Sequence, residues 1–278
     1  ILDQVKSNKG MGGLNPDQFE PTLLNEIGKW LDGRTSPVQA FACGMIGARQ
    51  GWVEAKYIFT PSQPPANQNL VKAPTTDGRI EVFIVPGMAQ KTPADVMRGE
   101  ETQMAGFLDN MPHFDGVICL PGTHSKWARV ENGIVQNFVT FMTGELFGLL
   151  SKQSVLRHSV ESDEWDTQSF LSGVKVAMQS PETVSQELFA IRPQSLLHAV
   201  PASVSKARLS GLLIGAELRA TKELWTNNHL SLIGDTKLCD HYNIALEHFG
   251  CHATIAEGDM MTLAGLHAVA SQVMEQAS

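Results

Sequence analysis

Residues 121–127 have side chains suited to binding phosphate, because a glycine, a threonine, a histidine and a lysine occur there together. They follow an apolar run at residues 117–120 and precede a turn signal, Asn132-Gly133, so we expect them to form a bend between two strands. At such a bend, backbone N–H groups and a hydroxyl can bind phosphate oxygens, and a lysine adds positive charge. The pattern is not a P-loop, because the upstream glycine is missing and the bend leads into a strand. The candidate phosphate ligands are Gly122, Thr123, His124 and Lys126, and a plain glycine turn remains the alternative.

Two adjacent carboxylates, Glu100 and Glu101, follow Gly99 shortly before this bend. A carboxylate at the start of a helix stays anionic, because the helix dipole favours negative charge there. It could then accept a proton from a hydroxyl group or bind a metal-bound water. Helix capping on a solvated face is the alternative origin of such a pair, and the position of the pair just before the bend favours the functional interpretation.

Composition limits the classes of partner. The 278 residues can form one large domain or two domains of ordinary size, and the net charge is −8. No strong positive field exists to attract nucleic acid or an anionic membrane, so we predict neither as a partner. A local basic pocket for a small phosphorylated ligand is compatible with this charge.

The cysteines and the apolar runs predict a cytoplasmic protein. The four cysteines are spaced singly without metal-ligand spacing, which is typical of buried thiols in a reducing compartment. No run approaches the roughly 18 apolar residues of a membrane span, and no signal-peptide pattern is present. The chain opens at Ile1 without a methionine, and residues 1–7 suggest a strand already under way. We therefore expect that the natural protein begins earlier.

Hydrophobic periodicity predicts strands and helices along the whole chain. Before residue 116, we predict helices at residues 21–31 and from Thr92-Pro93, strands at 38–43 and 79–85, and an irregular connection at 61–69. After it, we predict strands at 117–120, 126–130, 134–141, 230–233 and 253–256, and helices from 144, at 204–225, 237–248 and 260–274. The second part thus has the order of three strands, helices, strand, helix, strand and helix.

This order resembles the ribonuclease-H-like unit of the superfamily that contains actin, hexokinase and the heat-shock chaperones. Four strings make the resemblance more specific: residues 97–103, 121–127, 142–146 and 210–217 are similar to those of 2-dehydro-3-deoxygalactonokinases. The similarity covers essentially the whole chain, with the strings in the family's order. That family phosphorylates 2-keto-3-deoxy-galactonate with ATP.

The resemblance implies an α/β fold of two ribonuclease-H-like domains facing each other across a nucleotide cleft. The first domain would comprise residues 1–92, lack its N-terminal strands and hold the sugar acid. The second would comprise residues 93–278 and hold the phosphates and the adenine. The implied ligands are ATP, Mg²⁺ and a small sugar acid, and homo-oligomerisation is left open.

The resemblance also implies roles for individual residues. Glu100, or else Glu101, would take the proton from the terminal hydroxyl of the sugar acid, and Glu100 could also contact Mg²⁺ through water. The sugar acid would be bound by Arg49, Trp52 and Glu54, and the glycine cluster at residues 10–13 would shape the same pocket. The adenine would lie near Gly211, Gly215, Gly234 and Asp235. A surface arginine, a packed tryptophan and close helix packing at the glycines remain the structural alternatives.

One departure from the family leaves alternatives open. Members begin with a strand and a D-W-G-T/S-type loop whose Asp lies near Mg²⁺, and this sequence contains no such segment. Either the loop precedes residue 1, or the chain is a catalytically inactive sugar- or nucleotide-binding regulator. A phosphohydrolase of the same superfamily is a third hypothesis. The sequence does not distinguish the galacto from the gluco epimer.

Overall fold

The computed structural model describes residues 1–10, 13–65 and 69–277. Two of the predicted features extend outside these ranges. Met11 and Gly12 of the predicted glycine cluster lie outside the described residues, as do residues 66–68 of the predicted irregular connection.

The described residues form eleven strands and ten α-helices. The strands are β1 (Val38–Ala42), β2 (Ile58–Phe59), β3 (Val71–Lys72), β4 (Ile80–Ile84), β5 (Met88–Gln90), β6 (Asp95–Met97), β7 (Gly116–Leu120), β8 (Ser125–Glu131), β9 (Ile134–Phe141), β10 (Leu230–Gly234) and β11 (Ala253–Glu257). The helices are α1 (Phe19–Leu31), α2 (Glu100–Asn110), α3 (Thr143–Lys152), α4 (Arg157–Val160), α5 (Thr167–Gln179), α6 (Val184–His198), α7 (Ala202–Ala220), α8 (Lys222–Trp225), α9 (Thr236–His248) and α10 (Gly258–Ala277). Short 3-10 helices lie at Pro16–Gln18, Gly44–Gly47 and Pro181–Thr183.

The chain divides into two compact units. Unit 1 comprises residues 1–114, 131–137 and 259–278, and unit 2 comprises residues 115–130 and 138–258. This division does not coincide with the boundary predicted after residue 92, because residues 93–114 and nearly all of α10 group with unit 1.

Unit 1 contains two small sheets, of order β1-β4-β3 and β2-β5-β6. Strand β1 runs parallel to β4, with Val38 opposite Ile80, so the two strands require a crossover rather than a tight turn. Helix α1 packs on the first sheet through Phe19 and Leu31, which are buried with Ile80 and Ile84. The burial of these large apolar side chains is the main stabilising contribution to this core.

Helix α2 is held against α10 by two glycines. A Cβ atom on Gly106 would overlap the carbonyl oxygen of Met261, and a Cβ on Gly265 would overlap that of Thr102. Only residues without a Cβ allow the two backbones to approach so closely. This contact fixes the position of α2, which begins at Glu100.

Two predictions for unit 1 are wrong. The helix predicted at Thr92-Pro93 is instead the turn of a hairpin, in which β5 and β6 pair antiparallel with Met88 opposite Met97. Proline restricts φ to values that suit turns as well as the first turn of a helix, so the local signal was ambiguous. The strand predicted at residues 1–7 is absent, since residues 1–10 hold no helix or strand and are exposed.

The largest sheet has five strands in the order β11-β10-β7-β8-β9. Strand β10 runs parallel to β11 and to β7, whereas β7 and β8 are antiparallel. The turn after β8 has positive φ at Asn132 (49°) and Gly133 (72°), the conformation that Asn-Gly favours in hairpins. The three successive strands and the two later strands predicted for this part of the chain are confirmed.

The helices of unit 2 include a tightly packed pair, α5 and α7. A Cβ on Gly211 would overlap the carbonyl oxygen of Phe170, and a Cβ on Gly215 would lie 2.7 Å from the carbonyl oxygen of Val174. Helix α7 is buried over most of its length, which explains why it lacks a clear amphipathic pattern.

The structure confirms a mixed α/β fold and most of the predicted helices and strands. The helices α5 and α6 and the short strands β2, β3, β5 and β6 were not individually predicted. Short strands give too few residues for a period to be recognised. Among the described residues, no helix combines the length and the apolar character that crossing a membrane would require.

Candidate active site

The predicted phosphate bend lies between β7 and β8 in unit 2. These strands pair with Leu120 opposite Lys126, which leaves residues 121–124 as an irregular bend. Thr123 and His124 are exposed, and Gly122 is partly exposed, so the bend is open to a ligand. Space is available at Gly122, where a Cβ would meet no atom within 4 Å.

The first turn of α3 is fixed to this bend by three contacts. The backbone N–H of Glu145 donates to the carbonyl oxygen of Thr123 at 2.9 Å. A Cβ on Gly144 would overlap the carbonyl oxygen of Gly122 and lie 2.9 Å from Thr123 Cα, so only glycine fits there. The Nε2 atom of His124 lies 2.6 Å from Glu145 Oε2. The structure therefore brings a helix N-terminus, where anions are favoured, against the bend.

Lys126 lies at the start of β8 and is buried, with 4% of its surface exposed. Its Nζ lies 3.4 Å from the carbonyl oxygen of His124. Because side chains alternate along a strand, Lys126 faces the opposite side of the sheet from Ser125 and Trp127. A phosphate-binding role for Lys126 stays a prediction.

Ser125 and Trp127 face a buried carboxylate that the sequence did not single out, Glu217 on α7. Glu217 is 2% exposed and accepts hydrogen bonds from Trp127 Nε1 (2.7 Å), from the Tyr242 hydroxyl (2.9 Å) and from the Thr143 hydroxyl. Burial raises the pKa of the Glu217 carboxyl, and the hydrogen bonds from Thr143, Trp127 and Tyr242 oppose this shift.

A cavity of about 270 Å³ opens beside the bend within unit 2. Its lining includes Gly122 and Gly144 from the bend region, and Trp165, Ser210, Leu213 and His241. The Trp165 ring stacks on His241, with centroids 4.2 Å apart and planes inclined by 19°. Burial lowers the pKa of His241, and the charge of Lys237 adds to the effect against the charges of Asp240 and Asp235, so the neutral imidazole is favoured. The cavity wall is mainly apolar and has a flat aromatic face. Its lining also includes the charged residues Asp163, Glu164, Lys206 and Lys237.

The residues predicted to contact adenine lie in three different settings. Gly211 and Gly215 face α5, as described above, and their neighbours Ser210, Leu213 and Ile214 line the cavity instead. Gly234 ends β10 beside the bend, since a Cβ there would lie 3.1 Å from the carbonyl oxygen of Pro121. Asp235 caps α9 by accepting from the N–H of Leu238 at 3.0 Å.

The carboxylate pair begins helix α2 in unit 1, and its two members have different environments. Glu101 is fully buried and accepts from the N–H of Gly99 (2.7 and 2.9 Å) and from the Thr102 hydroxyl (3.0 Å). Burial, together with the charge of Glu100 and against the effect of the Gly99 N–H, raises the pKa of Glu101 to about 8. Glu100 is partly exposed and accepts from the N–H of Arg98 at 3.0 Å. Of the pair, only Glu100 can reach a ligand.

The glycine-rich turn at Gly44–Gly47 lies next to the start of α2. Gly99 (φ 115°) and Gly44 (φ 85°) adopt conformations that favour glycine, and a Cβ on Gly99 would lie 3.5 Å from Gly44 Cα. Arg98, just before α2, contacts the segment that follows this turn in the chain: its Nη2 donates to the carbonyl oxygen of Ala55 at 2.9 Å, and its guanidinium lies 4.3 Å from the Tyr57 ring centroid. The Nε and Nη1 atoms of Arg98 are buried and have no partner among the described residues.

The three residues predicted to bind the sugar acid are not equivalent. Arg49 and Glu54 are exposed. Trp52 is 7% exposed and stacks on Phe19, with centroids 6.1 Å apart, so it belongs to the core of unit 1 while also lining a cavity of about 440 Å³. The packed-tryptophan alternative therefore describes most of the Trp52 ring.

In the part of the chain that the structure describes, protein side chains alone form no candidate metal site. There, no group of three or more His, Cys, Asp or Glu residues is placed to hold an ion. Mg²⁺ in nucleotide sites needs only one or two carboxylates, since phosphate oxygens and water supply the other ligands. Glu100 is compatible with such a contact.

Three residues of interest were missed from the sequence: Glu217, Trp165 and His241. Glu217 lies in the string at residues 210–217 that was singled out, yet its partners are far away in the chain. A lone Trp165 and a lone His241 give no signal until folding stacks them. A glutamate directly after the apolar run at residues 211–216 was the only sequence sign of the buried carboxylate.

Comparison with known proteins gives a consistent result. A model of the family described as 2-keto-3-deoxy-galactonokinase matches residues 1–269. The chain is 38% identical, over 87% of its length and 83% of the relative, to a Rhizobium meliloti (strain 1021) protein named "Probable 2-dehydro-3-deoxygalactonokinase DgoK1". It is 30% identical to the Escherichia coli (strain K12) 2-dehydro-3-deoxygalactonokinase, over 98% of this chain and 91% of the relative.

A solved structure gives the same match at the level of the fold. A Sinorhizobium meliloti protein assigned as a 2-dehydro-3-deoxygalactonokinase superposes with a TM-score of 0.90 at 34% identity. The match covers 98% of this chain and 91% of that one. All three relatives carry the name of one kinase, which favours the kinase hypothesis over a regulator or a phosphohydrolase.

Proposed function

Because the chain belongs to the 2-keto-3-deoxy-galactonokinase family, we propose that it transfers the γ-phosphoryl group of ATP to the terminal hydroxyl of 2-dehydro-3-deoxy-galactonate. The observation that carries this proposal is the family match over residues 1–269, which contain the open bend at residues 121–124. Phosphoryl transfer depends mainly on positioning and charge stabilisation, and both can be supplied by a rigid bend beside a helix N-terminus.

The bend would hold the β- and γ-phosphates. The exposed hydroxyl of Thr123 and the backbone N–H groups near Gly122 are available as donors, and the dipole of α3 favours negative charge beside them. His124 would add a donor on the same side, with Glu145 orienting its ring. Lys126 would contribute positive charge behind the bend.

Glu100 would act as the base. The hydroxyl oxygen of the sugar acid bonds to the γ-phosphorus while the bond to ADP breaks, and Glu100 accepts the hydroxyl proton. Glu101 is unsuited to this role because it is fully buried and its raised pKa, about 8, keeps it largely protonated at pH 7. Its hydrogen bonds with Gly99 and Thr102 suit a group that fixes the start of α2.

Mg²⁺ would enter with the nucleotide and neutralise the charge on its phosphates. Glu100 would contact it through a water molecule. Such an arrangement needs no dedicated protein cage.

The adenosine group would occupy the cavity lined by Trp165 and His241. Its apolar walls and its position beside Gly122 support this assignment. Gly234 lies beside the same bend, and Asp235 caps α9, whose residues Leu238 and His241 line the cavity. Removing an aromatic stacking partner of a base weakens binding by about 1–3 kcal/mol, so Trp165→Ala should raise the Kd for ATP about 5- to 150-fold. Calorimetry with a non-hydrolysable ATP analogue tests this, and unchanged affinity would move the adenosine elsewhere.

The sugar acid would be bound by residues of unit 1 close to Glu100. Arg49 is exposed and can pair with the carboxylate group, and Glu54 can accept from a sugar hydroxyl. Arg98 is a second candidate for the carboxylate, since it lies beside the Gly44–Gly47 turn and part of its guanidinium has no partner among the described residues. An increase in KM for the sugar acid in Arg49→Gln, but not in Arg98→Gln, would assign the contact to Arg49.

We also propose that the fold is built from two ribonuclease-H-like domains, with a sugar-acid side at residues 1–92 and a nucleotide side at residues 93–278. The sheet order β11-β10-β7-β8-β9, with three consecutive strands followed by two parallel ones, supports this for the second part. That the protein works in the cytoplasm stays a prediction.

The decisive experiment is ADP release, measured with a coupled assay on the purified chain and a panel of 2-keto-3-deoxy sugar acids. We expect release that depends on 2-dehydro-3-deoxy-galactonate, with the gluco epimer as the matched comparison. ATP binding without substrate-dependent ADP release would contradict the proposed function. Release without any sugar acid would indicate a phosphohydrolase instead.

A further inference from the structure

Glu217 is a buried carboxylate whose hydrogen-bond partners come from three other elements. Trp127 belongs to β8, Thr143 is the first residue of α3, and Tyr242 belongs to α9. The Tyr242 hydroxyl also lies 3.0 Å from Ser125 Oγ, so the network reaches the first residue of β8. Within the part of the chain that the structure describes, Glu217 forms no ion pair, and neutral donors alone satisfy it.

The partners of Glu217 flank the bend at residues 121–124 on both sides. Ser125 and Trp127 continue directly from the bend into β8. Thr143 precedes Gly144 and Glu145, the two residues of α3 that contact the bend. A single carboxylate therefore joins the strand that leaves the bend to the helix turn that packs on it.

From this geometry we infer that Glu217 is a positioning residue, which holds the bend and the first turn of α3 at a fixed separation. The inference rests on the proposed function, in which the bend binds the phosphates of ATP. Glu217 itself is buried and acts through Thr143 and Trp127. A small displacement of groups that position a substrate can reduce the rate by a large factor even when binding is retained.

A carboxylate suits this place for a chemical reason. An ionised carboxylate only accepts hydrogen bonds, and an indole N–H only donates, so the Trp127 contact requires an acceptor. A glutamine of the same shape would keep one acceptor oxygen and direct an NH₂ group towards the remaining donors. The hydroxyls of Thr143 and Tyr242 can rotate to accept from that NH₂ group, so these contacts would persist in the reverse direction. A neutral N–H···O bond is longer and weaker than the O–H···O⁻ bond that an ionised carboxylate accepts, so the link from residue 217 to α3 would loosen.

Glu217→Gln tests the inference by two measurements. We expect kcat to fall about 10- to 100-fold, the range caused by small displacements, while KM for the sugar acid stays within a factor of about two. We also expect faster hydrogen exchange at the Glu145 amide, which donates to Thr123, in the protein without ligands. Exchange is followed on peptides that cover residues 121–127 and 142–146.

Two further variants complete the design. Thr143→Val removes the hydroxyl that links Glu217 to α3. The double variant that combines Glu217→Gln with Thr143→Val should lose no more activity than the worse of the two single variants, because both substitutions break the same link. The Thr143→Val variant also carries the test if Glu217→Gln does not fold.

Thr221→Val is the matched control: Thr221 is 2% exposed, lies one helical turn after Glu217, and donates to the backbone carbonyl of Glu217 at 2.9 Å. It should leave kcat and the exchange of Glu145 unchanged.

The outcomes separate this inference from the proposed function. If Glu217→Gln lowers the melting temperature but leaves both kcat and Glu145 exchange at wild-type values, the inference is overturned and Glu217 only stabilises the fold. Additive losses in the double variant would also overturn it. If the wild-type chain shows no kinase activity, the proposed function fails, and the exchange measurement still decides whether Glu217 orders the bend.

Discussion

Helices α2 and α7 each carry a buried glutamate, and each packs on a neighbouring helix through glycine. The two glutamates differ in where their hydrogen-bond donors lie in the sequence. Glu101 on α2 accepts hydrogen bonds from Gly99 and Thr102, which are its neighbours in the chain. Glu217 on α7 accepts from residues that lie 25 to 90 positions away. The pKa of both carboxyls is raised, in each case mainly by burial.

This difference shows what each carboxylate can control. The contacts of Glu101 are local, so it fixes the start of its own helix, where Glu100 is presented. The contacts of Glu217 are remote, so it fixes other elements relative to one another, namely β8, α3 and α9. A local contact can be anticipated from the sequence, whereas a remote one depends on the complete fold.

The largest expected effect separates the two members of the α2 pair. Glu100→Gln should lower kcat about 10²- to 10⁴-fold, the usual contribution of a general base, with little change in ATP affinity. Glu101→Gln should reduce kcat much less, because a buried group at the helix start cannot take the proton itself. Steady-state kinetics with calorimetric ATP binding measures both, and full activity in Glu100→Gln would assign the base elsewhere.

The next expected effect is a loss of stability when a glycine at a helix contact of α2 or α7 is replaced by alanine. Gly106→Ala and Gly211→Ala each place a Cβ on a carbonyl oxygen of the neighbouring helix, so each should destabilise the protein by about 1–3 kcal/mol, as overpacking does. Chemical denaturation measures the change in the free energy of unfolding.

Gly148→Ala in α3 is the matched control for these glycines, because a Cβ there meets no atom within 4 Å. It should leave the stability unchanged or raise it by about 0.5–1 kcal/mol, since alanine is favoured over glycine inside helices. Equal effects of all three substitutions would contradict the close helix contacts.

A further expected effect is a pH dependence of stability that belongs to Glu101. Its pKa is about 8 in the folded protein against an ordinary value of 4.5, so between these values the folded state binds a proton that the unfolded state lacks. The associated stability is complete below about pH 4.5 and is lost as the pH rises towards 8, by up to about 1.4 kcal/mol per pH unit. Thermal unfolding should therefore show a steeper decline from pH 5 to pH 8 in the wild type than in Glu101→Gln.

Glu100→Gln serves as the control for this pH series, because it removes a carboxylate that is partly exposed. Its unfolding should retain most of the wild-type decline, reduced only by the lost repulsion between the two carboxylates. A decline in Glu101→Gln as steep as in the wild type would show that Glu101 is ionised in the folded protein throughout.

Much of the fold could be predicted from the sequence because its signals are local. The bend at residues 121–124 lies between an apolar strand and an alternating one, and the Asn132-Gly133 turn defines the hairpin that follows. The signals failed where a residue type suits two structures. Pro93 fits a turn as well as a helix start, and only the pairing of β5 with β6 decided between them.

The parts of the candidate site that could be predicted are also those formed by residues adjacent in the sequence. The Glu100–Glu101 pair, the bend and the family were recognised from strings of adjacent residues. The choice of Glu100 over Glu101 required their burial, which depends on the packing of α2. The position of Trp52 against Phe19, and of Gly211 against Phe170, likewise followed from packing between distant segments.

The sequence by itself determined the five strands of the largest sheet in their order along the chain, the bend suited to phosphate, the carboxylate pair and the membership of a kinase family. All of these depend on residues that are close together in the chain, whose propensities act before distant segments meet. Only the tertiary structure decided that Glu217 joins Trp127, Thr143 and Tyr242, and that Trp165 stacks on His241. Hydrogen bonds and ring stacking need atoms within a few ångströms of each other, and folding alone brings residues so far apart in the sequence to that distance.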